Sequence, residues 1–117
     1  MRGTYLKFYV HENRRHHGKL VFEWLLSEAR ELGIHGGSAF RAIAGFGRHG
    51  VIVEQHFFEL ADQLPVEVAF MVSDGQAERF IGRLEKEKDL SLFYIRMSAE
   101  YGVLNGVTTD PDSKAVD

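Results

Sequence analysis

The residues best suited to bind a ligand lie between positions 45 and 64, in the run GFGRHGVIVEQHFFELADQL. Gly45, Gly47 and Gly50 permit backbone conformations in which several amide groups point at one anion. Arg48 adds a positive charge whose planar guanidinium matches phosphate or carboxylate. This long connection therefore predicts an anion site, and the alternative is an irregular structural arm that packs on a neighbour.

A second group of cations, Arg14, Arg15 and Lys19, precedes a predicted helix. The free amides and the dipole at a helix start favour anions, so a phosphate could dock there. The alternative is a solvated basic loop, which is the commoner meaning of an exposed charge run.

Histidines offer a third kind of chemistry, because imidazole is a ligand for transition metals. The candidates are His16, His17, His49 and His56. Their spacing gives no pair four residues apart on one helix face and no H-E-x-x-H motif, and the chain has no cysteine. The spacing therefore favours ordinary surface histidines over a metal centre.

The sequence contains few residues in a pattern typical of catalysis. No serine lies in a G-x-S-x-G elbow, no G-x-x-x-x-G-K-[ST] loop is present, and no carboxylates are spaced for acid and base work. The absence of cysteine excludes thiol chemistry. We therefore expect a binding protein that is not an enzyme and that carries no cofactor.

Length and charge set the class of protein. The 117 residues suit one domain, and a net charge of −3 argues against a nucleic acid partner. With neither a leader-like start nor an apolar run long enough to span a bilayer, the sequence predicts a cytoplasmic protein without membrane insertion. The domain is expected over residues 1–102, and the small, polar residues 103–117 are expected to form a disordered tail.

The elements that must position these residues follow from periodicity. Alternating apolar residues predict strands over 4–10, 38–44, 65–73 and 91–99. Helical spacing predicts one helix from Val21 that Gly33 ends, and a second over 74–88 that a capping box of Ser73 and Gln76 begins. This βαββαβ order predicts an α+β, ferredoxin-like split βαβ fold, with a four-stranded antiparallel sheet and two helices on one face.

The second face of that sheet is predicted to mix aromatic, aliphatic and charged side chains. Such a mixture indicates an oligomer interface rather than a surface that meets water. The residues assigned to this face are Tyr5, Lys7, Tyr9, Arg41, Ile43, Glu67, Met71, Leu92, Tyr94 and Arg96.

Four segments carry a family resemblance: HGK at 17–19, EWL at 23–25, GFG at 45–47 and HFFELADQLPV at 56–66. In order and spacing they resemble an uncharacterised family of PII-like bacterial proteins over about residues 3–102, within the PII and CutA-like ferredoxin-fold superfamily. The resemblance implies a homotrimer whose three sheets face inward.

In the PII superfamily the long connection is a signalling loop, and a small anionic effector binds in the cleft between neighbouring subunits. Lys88, with Lys86, falls on the turn where PII proteins place a second phosphate-contacting loop. The ligand-binding residues that the resemblance implies are Arg41, Gly45, Phe46, Gly47, Arg48, Lys88 and Arg96.

The leading hypothesis is thus a PII-like regulatory protein. It would bind an anionic effector of the adenine nucleotide class at the intersubunit cleft and signal to a partner protein, of unknown identity, through the loop at 45–64. The alternative is a CutA-like trimer that binds divalent metal, motivated by the six histidines.

Overall fold

A computed structural model describes residues 1–46, 53–54 and 64–106. The elements are β1 (Arg2–His11), β2 (Arg15–His16), β3 (Lys19–Leu20), α1 (Val21–Glu31), β4 (Ser38–Arg41), β5 (Ala44–Gly45), β6 (Val53–Glu54), β7 (Pro65–Val72), α2 (Asp74–Leu84) and β8 (Phe93–Glu100). Neither helix is long and apolar enough to cross a membrane among these residues.

The main sheet has the strand order β4-β7-β1-β8, and every neighbouring pair is antiparallel. Both helices cover one face of it. Three phenylalanines mark where the layers meet: the ring centroid of Phe8 on β1 lies 6.2 Å from that of Phe70 on β7 and 5.7 Å from that of Phe80 on α2, edge to face. The predicted ferredoxin-like α+β fold is confirmed.

Local sequence explains where the helices begin and end. Gly33, at φ +82°, follows the end of α1 in a conformation that glycine adopts without strain. The Oγ of Ser73 accepts from the backbone N–H of Gln76, and the side chain of Gln76 accepts from the Ser73 N–H, so the predicted capping box starts α2. That helix ends at Leu84, four residues before the predicted 88, because the run EKEKD at 85–89 has no apolar side chain to bury.

The register corrects the assignment of residues to the second sheet face. Arg41 pairs with Val66, Tyr94 with Phe8 and Arg96 with Leu6, so all three lie on the helix-covered side. Leu92 packs against the same core. The placement of residues 92, 94 and 96 was wrong because Phe93, Ile95 and Met97 are the more apolar set and were assigned to the core, whereas pairing with β1 places them on the other face.

The face that the helices leave uncovered, which we term the open face, is therefore more apolar than predicted. Phe93, Ile95 and Met97 lie on the open face beside Tyr5 and Tyr9, where Tyr94 and Arg96 had been expected. Phe93 is 66% exposed and Met97 is 43% exposed. The open face thus presents large apolar side chains to solvent in the isolated chain.

Two charges lie within the open face. The Nζ of Lys7 is 3.4 Å from Oε1 of Glu67, and the hydroxyl of Tyr9 donates to that oxygen at 2.9 Å. The hydrogen bond to Tyr9 and the charge of Glu67 raise the pKa of Lys7 against the effect of burial. The charges on this face are therefore satisfied within the chain.

The predicted strand over 38–44 is divided. β4 ends at Arg41, the Ala42 N–H still donates to the carbonyl of Pro65 at 2.9 Å, and β5 then pairs with β6. Beyond β8, the described residues run to Gly106, with Tyr101 N–H donating to the Met1 carbonyl. The tail prediction rests mainly on residues 107–117, which lie outside the described part, so the domain boundary at 102 stays a prediction.

Candidate functional site

One end of the sheet gathers most of the predicted ligand residues. Arg41 at the end of β4 is level with Val66 at the start of β7 and with Val10 near the end of β1. Phe93 at the start of β8 is level with Tyr9. We term this the loop end. The connection at 45–64, the segment 12–20 and the turn at 85–92 all adjoin it.

Among the predicted cations in the described residues, Arg41 has the position best suited to binding an anion. Its Nε donates to Oε1 of Glu12 at 2.9 Å, and its Nη2 contacts the same oxygen. The hydrogen bond and the charge of Glu12 raise the pKa of Arg41. Since 54% of the Arg41 side chain stays exposed, the guanidinium is oriented by one carboxylate and still open to a second anion.

Gly45 and Phe46 lie beside it, at the start of the long connection. Gly45 pairs with Val53, and a Cβ added at Gly45 would lie 3.2 Å from Cγ of Pro65, so a larger residue would require Pro65 to shift by a few tenths of an ångström. Phe46 is 72% exposed, an unusual state for a phenylalanine. Gly47 and Arg48 fall outside the described residues, and their roles stay predictions.

Lys88 and Arg96, the other two predicted cations in the described part of the chain, lie in different parts of the fold. Lys88 is exposed on the turn between α2 and β8, at the loop end. Arg96 lies within β8, where its Nη2 is 2.8 Å from Oε1 of Glu78. Because β4 and β8 are opposite edges of the sheet, Arg41 and Arg96 do not share a site within one chain. A cleft that used both would need two chains.

The structure also joins residues that the sequence did not connect. His16 and His17 both direct Nε2 at Oε1 of Glu87, at 2.7 and 3.0 Å. The unpredicted hairpin of β2 and β3 presents these histidines, because His17 and Gly18, at φ 51° and 77°, form its two-residue turn. The HG dipeptide was the available signal. Nothing in the sequence separated Glu87 from its charged neighbours.

Two of the three cations before α1, Arg15 and Lys19, line a surface cavity of about 400 Å³ together with Glu23 and Ser27. Arg15 Nη1 donates to the Gly18 carbonyl at 3.2 Å. The carboxylate of Glu23 lies in the same cavity and opposes an anion there. The loop end is therefore the better candidate for an anionic ligand.

This strand order with both helices on one face is that of the ferredoxin-like fold. A Thermus thermophilus protein provisionally described as PII-like signalling matches with TM-score 0.60 and 17% identity, over 84% of this chain and 87% of its own. CPII, a nitrogen regulatory PII-like protein of Thiomonas intermedia K12, bound there to ADP, AMP and bicarbonate, matches with TM-score 0.63 and 14% identity, over 88% and 91%. At such identities the likeness concerns the fold.

The chain belongs to the DUF190 family (Uncharacterized ACR, COG1993), whose model matches residues 3–97. A UPF0166 protein of Aquifex aeolicus is 32% identical over 80 residues, which are 68% of this chain and 76% of the relative. The resemblance stated from the residues alone, to an uncharacterised PII-like family, is confirmed.

Proposed function

We propose that this protein is a non-enzymatic PII-like regulator that binds an adenine nucleotide or a similar anionic effector at the loop end. The observation that carries the proposal is that Arg41, Phe46 and Lys88 all lie at the loop end. Lys88 precedes β8, at the opposite edge of the sheet from Arg41, so a site that used both cations would form between two chains. These residues suit a nucleotide, since the two cations can bind its phosphates and the exposed aromatic ring can stack on its base.

Support also comes from the neighbouring segments. A Cβ at Gly45 would lie 3.2 Å from Cγ of Pro65, so glycine lets the backbone pass close to Pro65 at the point where the long connection starts. The sequence adds Gly47 and Arg48 directly after it. The nucleotides held by CPII, a protein of the same fold, make this ligand class the first to test.

The proposed effector site is completed by assembly into a homotrimer. The open face exposes Phe40, Phe93 and Met97, while its central charges, Lys7 and Glu67, are already paired in the chain. Exposure of these apolar side chains to water is unfavourable in free energy, and burial against copies of the same face removes that exposure. Assembly would also bring sheet edges of different chains together, which a cleft between Arg41 and Arg96 requires.

The connection at 45–64 is proposed to contact the partner protein, because it starts at the effector site and a bound effector could change the surface that it presents. Of the relatives named above, none is a CutA protein, so the alternative of a CutA-like metal-binding trimer retains only the histidines as support.

Native mass spectrometry of the full chain, purified without added nucleotide, tests the proposal directly. We expect trimers, and addition of ADP should increase their mass by whole multiples of one ADP. A monomer that takes up no ADP would contradict both the assembly and the effector site.

A further inference from the structure

We propose that His16, His17 and Glu87 form a binding site for one divalent transition-metal ion of the Zn²⁺ class. The site lies where the β2–β3 hairpin meets the turn after α2. It does not depend on the nucleotide proposal, because none of its three ligands belongs to the proposed effector site.

The geometry fits a single ion. The ligand atoms of the three side chains all lie within 4.8 Å of one another, and both histidine Nε2 atoms are 2.7–3.0 Å from Oε1 of Glu87. Tetrahedral zinc with bonds of about 2.0–2.1 Å holds its ligand atoms about 3.3 Å apart. To admit the ion, Oε1 of Glu87 would move away from the two Nε2 atoms by about 0.3–0.6 Å, and the two imidazoles, whose ligand atoms lie within 4.8 Å, would settle at a similar separation.

Neighbouring side chains hold the ligands in place. The His16 side chain is 6% exposed, and its ring packs edge to face on Trp24 with centroids 4.9 Å apart. Oε2 of Glu87 lies 3.3 Å from Nη1 of Arg83, which leaves Oε1 directed at the imidazoles, and Arg83 is itself anchored by Glu28 at 2.7 Å. Outer partners of this kind orient ligands in metal sites.

His17 supplies access from solvent. Its side chain is 65% exposed, so an ion can enter from that side and keep a water as its fourth ligand. The backbone of His17 is in the left-handed region at φ 51°, in a turn position where asparagine or glycine is preferred. A histidine at this position is a poorer turn residue, and its imidazole is the group that reaches Glu87.

Two imidazoles and one carboxylate select the class of ion. Such donors suit Zn²⁺, Cu²⁺ or Ni²⁺, whereas Mg²⁺ and Ca²⁺ prefer sites built from oxygen alone. Each Nε2 must coordinate without its proton, so on binding the ring proton resides on Nδ1, and the Nε2 hydrogen bonds to Glu87 are replaced by bonds to the ion. The bound ion would then link the hairpin to the turn that follows α2.

The test is calorimetric titration of Zn²⁺ into the full-length, chelator-treated protein. Two variants remove ligands: His17→Asn suits the turn better than histidine, and Glu87→Gln keeps the side-chain shape while weakening the charged contacts of Glu87. The matched control is His35→Ala, an exposed histidine outside the site. We expect one ion per chain, unchanged affinity for His35→Ala, and at least about a tenfold loss for each of the two ligand variants.

A second readout guards against binding elsewhere, because His49 and His56 lie outside the described residues. With Co²⁺ in place of Zn²⁺, the wild-type protein should develop the visible absorption of a low-coordinate site, and His17→Asn should abolish it. Absence of Zn²⁺ binding by the wild type, or equal affinity in His17→Asn and Glu87→Gln, would overturn the proposal.

Discussion

The Nε2 of His16 lies 2.7 Å from Oε1 of Glu87, a contact that joins residues 71 positions apart in the chain. With the hydrogen bonds from Arg83 and His17, it outweighs the effect of burial and lowers the pKa of Glu87 from 4.5 to about 2. The turn after α2 is therefore held to the β2–β3 hairpin by a carboxylate that stays ionised in acid.

This carboxylate makes folding stability depend on pH. A lowered pKa means that the folded chain holds the charged form more strongly than the unfolded chain, so the stabilisation is complete above pH 4.5 and is lost as pH falls towards about 2. We expect Glu87→Gln to be less stable than wild type at neutral pH and the difference to shrink through that acid window. Urea unfolding at several pH values measures it, and a difference that did not change with pH would contradict the account.

The capping box sets a second prediction. Removing the Ser73 hydroxyl leaves the Gln76 N–H without its side-chain acceptor, so Ser73→Ala should lower the free energy of unfolding by about 1 kcal/mol. Denaturant unfolding at neutral pH is the measurement. Ser91→Ala, at an exposed position before β8, is the control and should change little. Equal stability of both variants would show that the cap contributes nothing.

Assembly through the open face can be tested at Met97, which lies level with Tyr5, itself level with Met71. Met97→Glu places a carboxylate in this apolar row, and because Met97 is exposed in the isolated chain the fold should survive. We expect a trimer for wild type and a monomer for Met97→Glu by light scattering. Val103→Glu, another exposed apolar site but outside the sheet, should remain trimeric. A wild-type monomer would refute the proposed assembly.

Arg48 offers a prediction that rests on sequence. A guanidinium can grip phosphate through two parallel hydrogen bonds, whereas lysine keeps only the charge. We expect Arg48→Ala to weaken binding of ADP by about 1.5–3 kcal/mol while fold and assembly persist, and Arg48→Lys to recover part of the loss. Gly47→Val should also weaken binding, through the backbone. Unaltered ADP affinity in all three variants would remove this segment from the site.

The sequence was sufficient for the fold because the fold depends on periodic signals. Alternating apolar residues located the four sheet strands, and the spacing of Ser73 and Gln76 located the start of α2. It failed where the signal was ambiguous or non-local. Tyr94 and Arg96 were assigned to the wrong face because the apolar positions Phe93, Ile95 and Met97 were expected to face the core, and only pairing with β1 shows that they face away from it.

The site was predicted less completely for the same reason. Arg41 was named as a ligand residue, but its partner Glu12 lies 29 positions away and carries no motif. Glu87 was missed as the partner of two histidines because it is one of several acidic residues in a charged turn. Such pairs are fixed by tertiary packing, which residue spacing does not encode.

The most direct test of the proposed function is calorimetric titration of ADP into wild type, Arg41→Ala and Arg2→Ala. Arg2 is a matched control, since it is also an exposed, ion-paired arginine, 3.6 Å from Glu100, but lies at the opposite end of the sheet. The account predicts that wild type and Arg2→Ala bind ADP alike and that Arg41→Ala binds it about tenfold more weakly. Failure of wild type to bind ADP, AMP or ATP, or equal binding by Arg41→Ala, would contradict the claim that the loop end is an adenine nucleotide site.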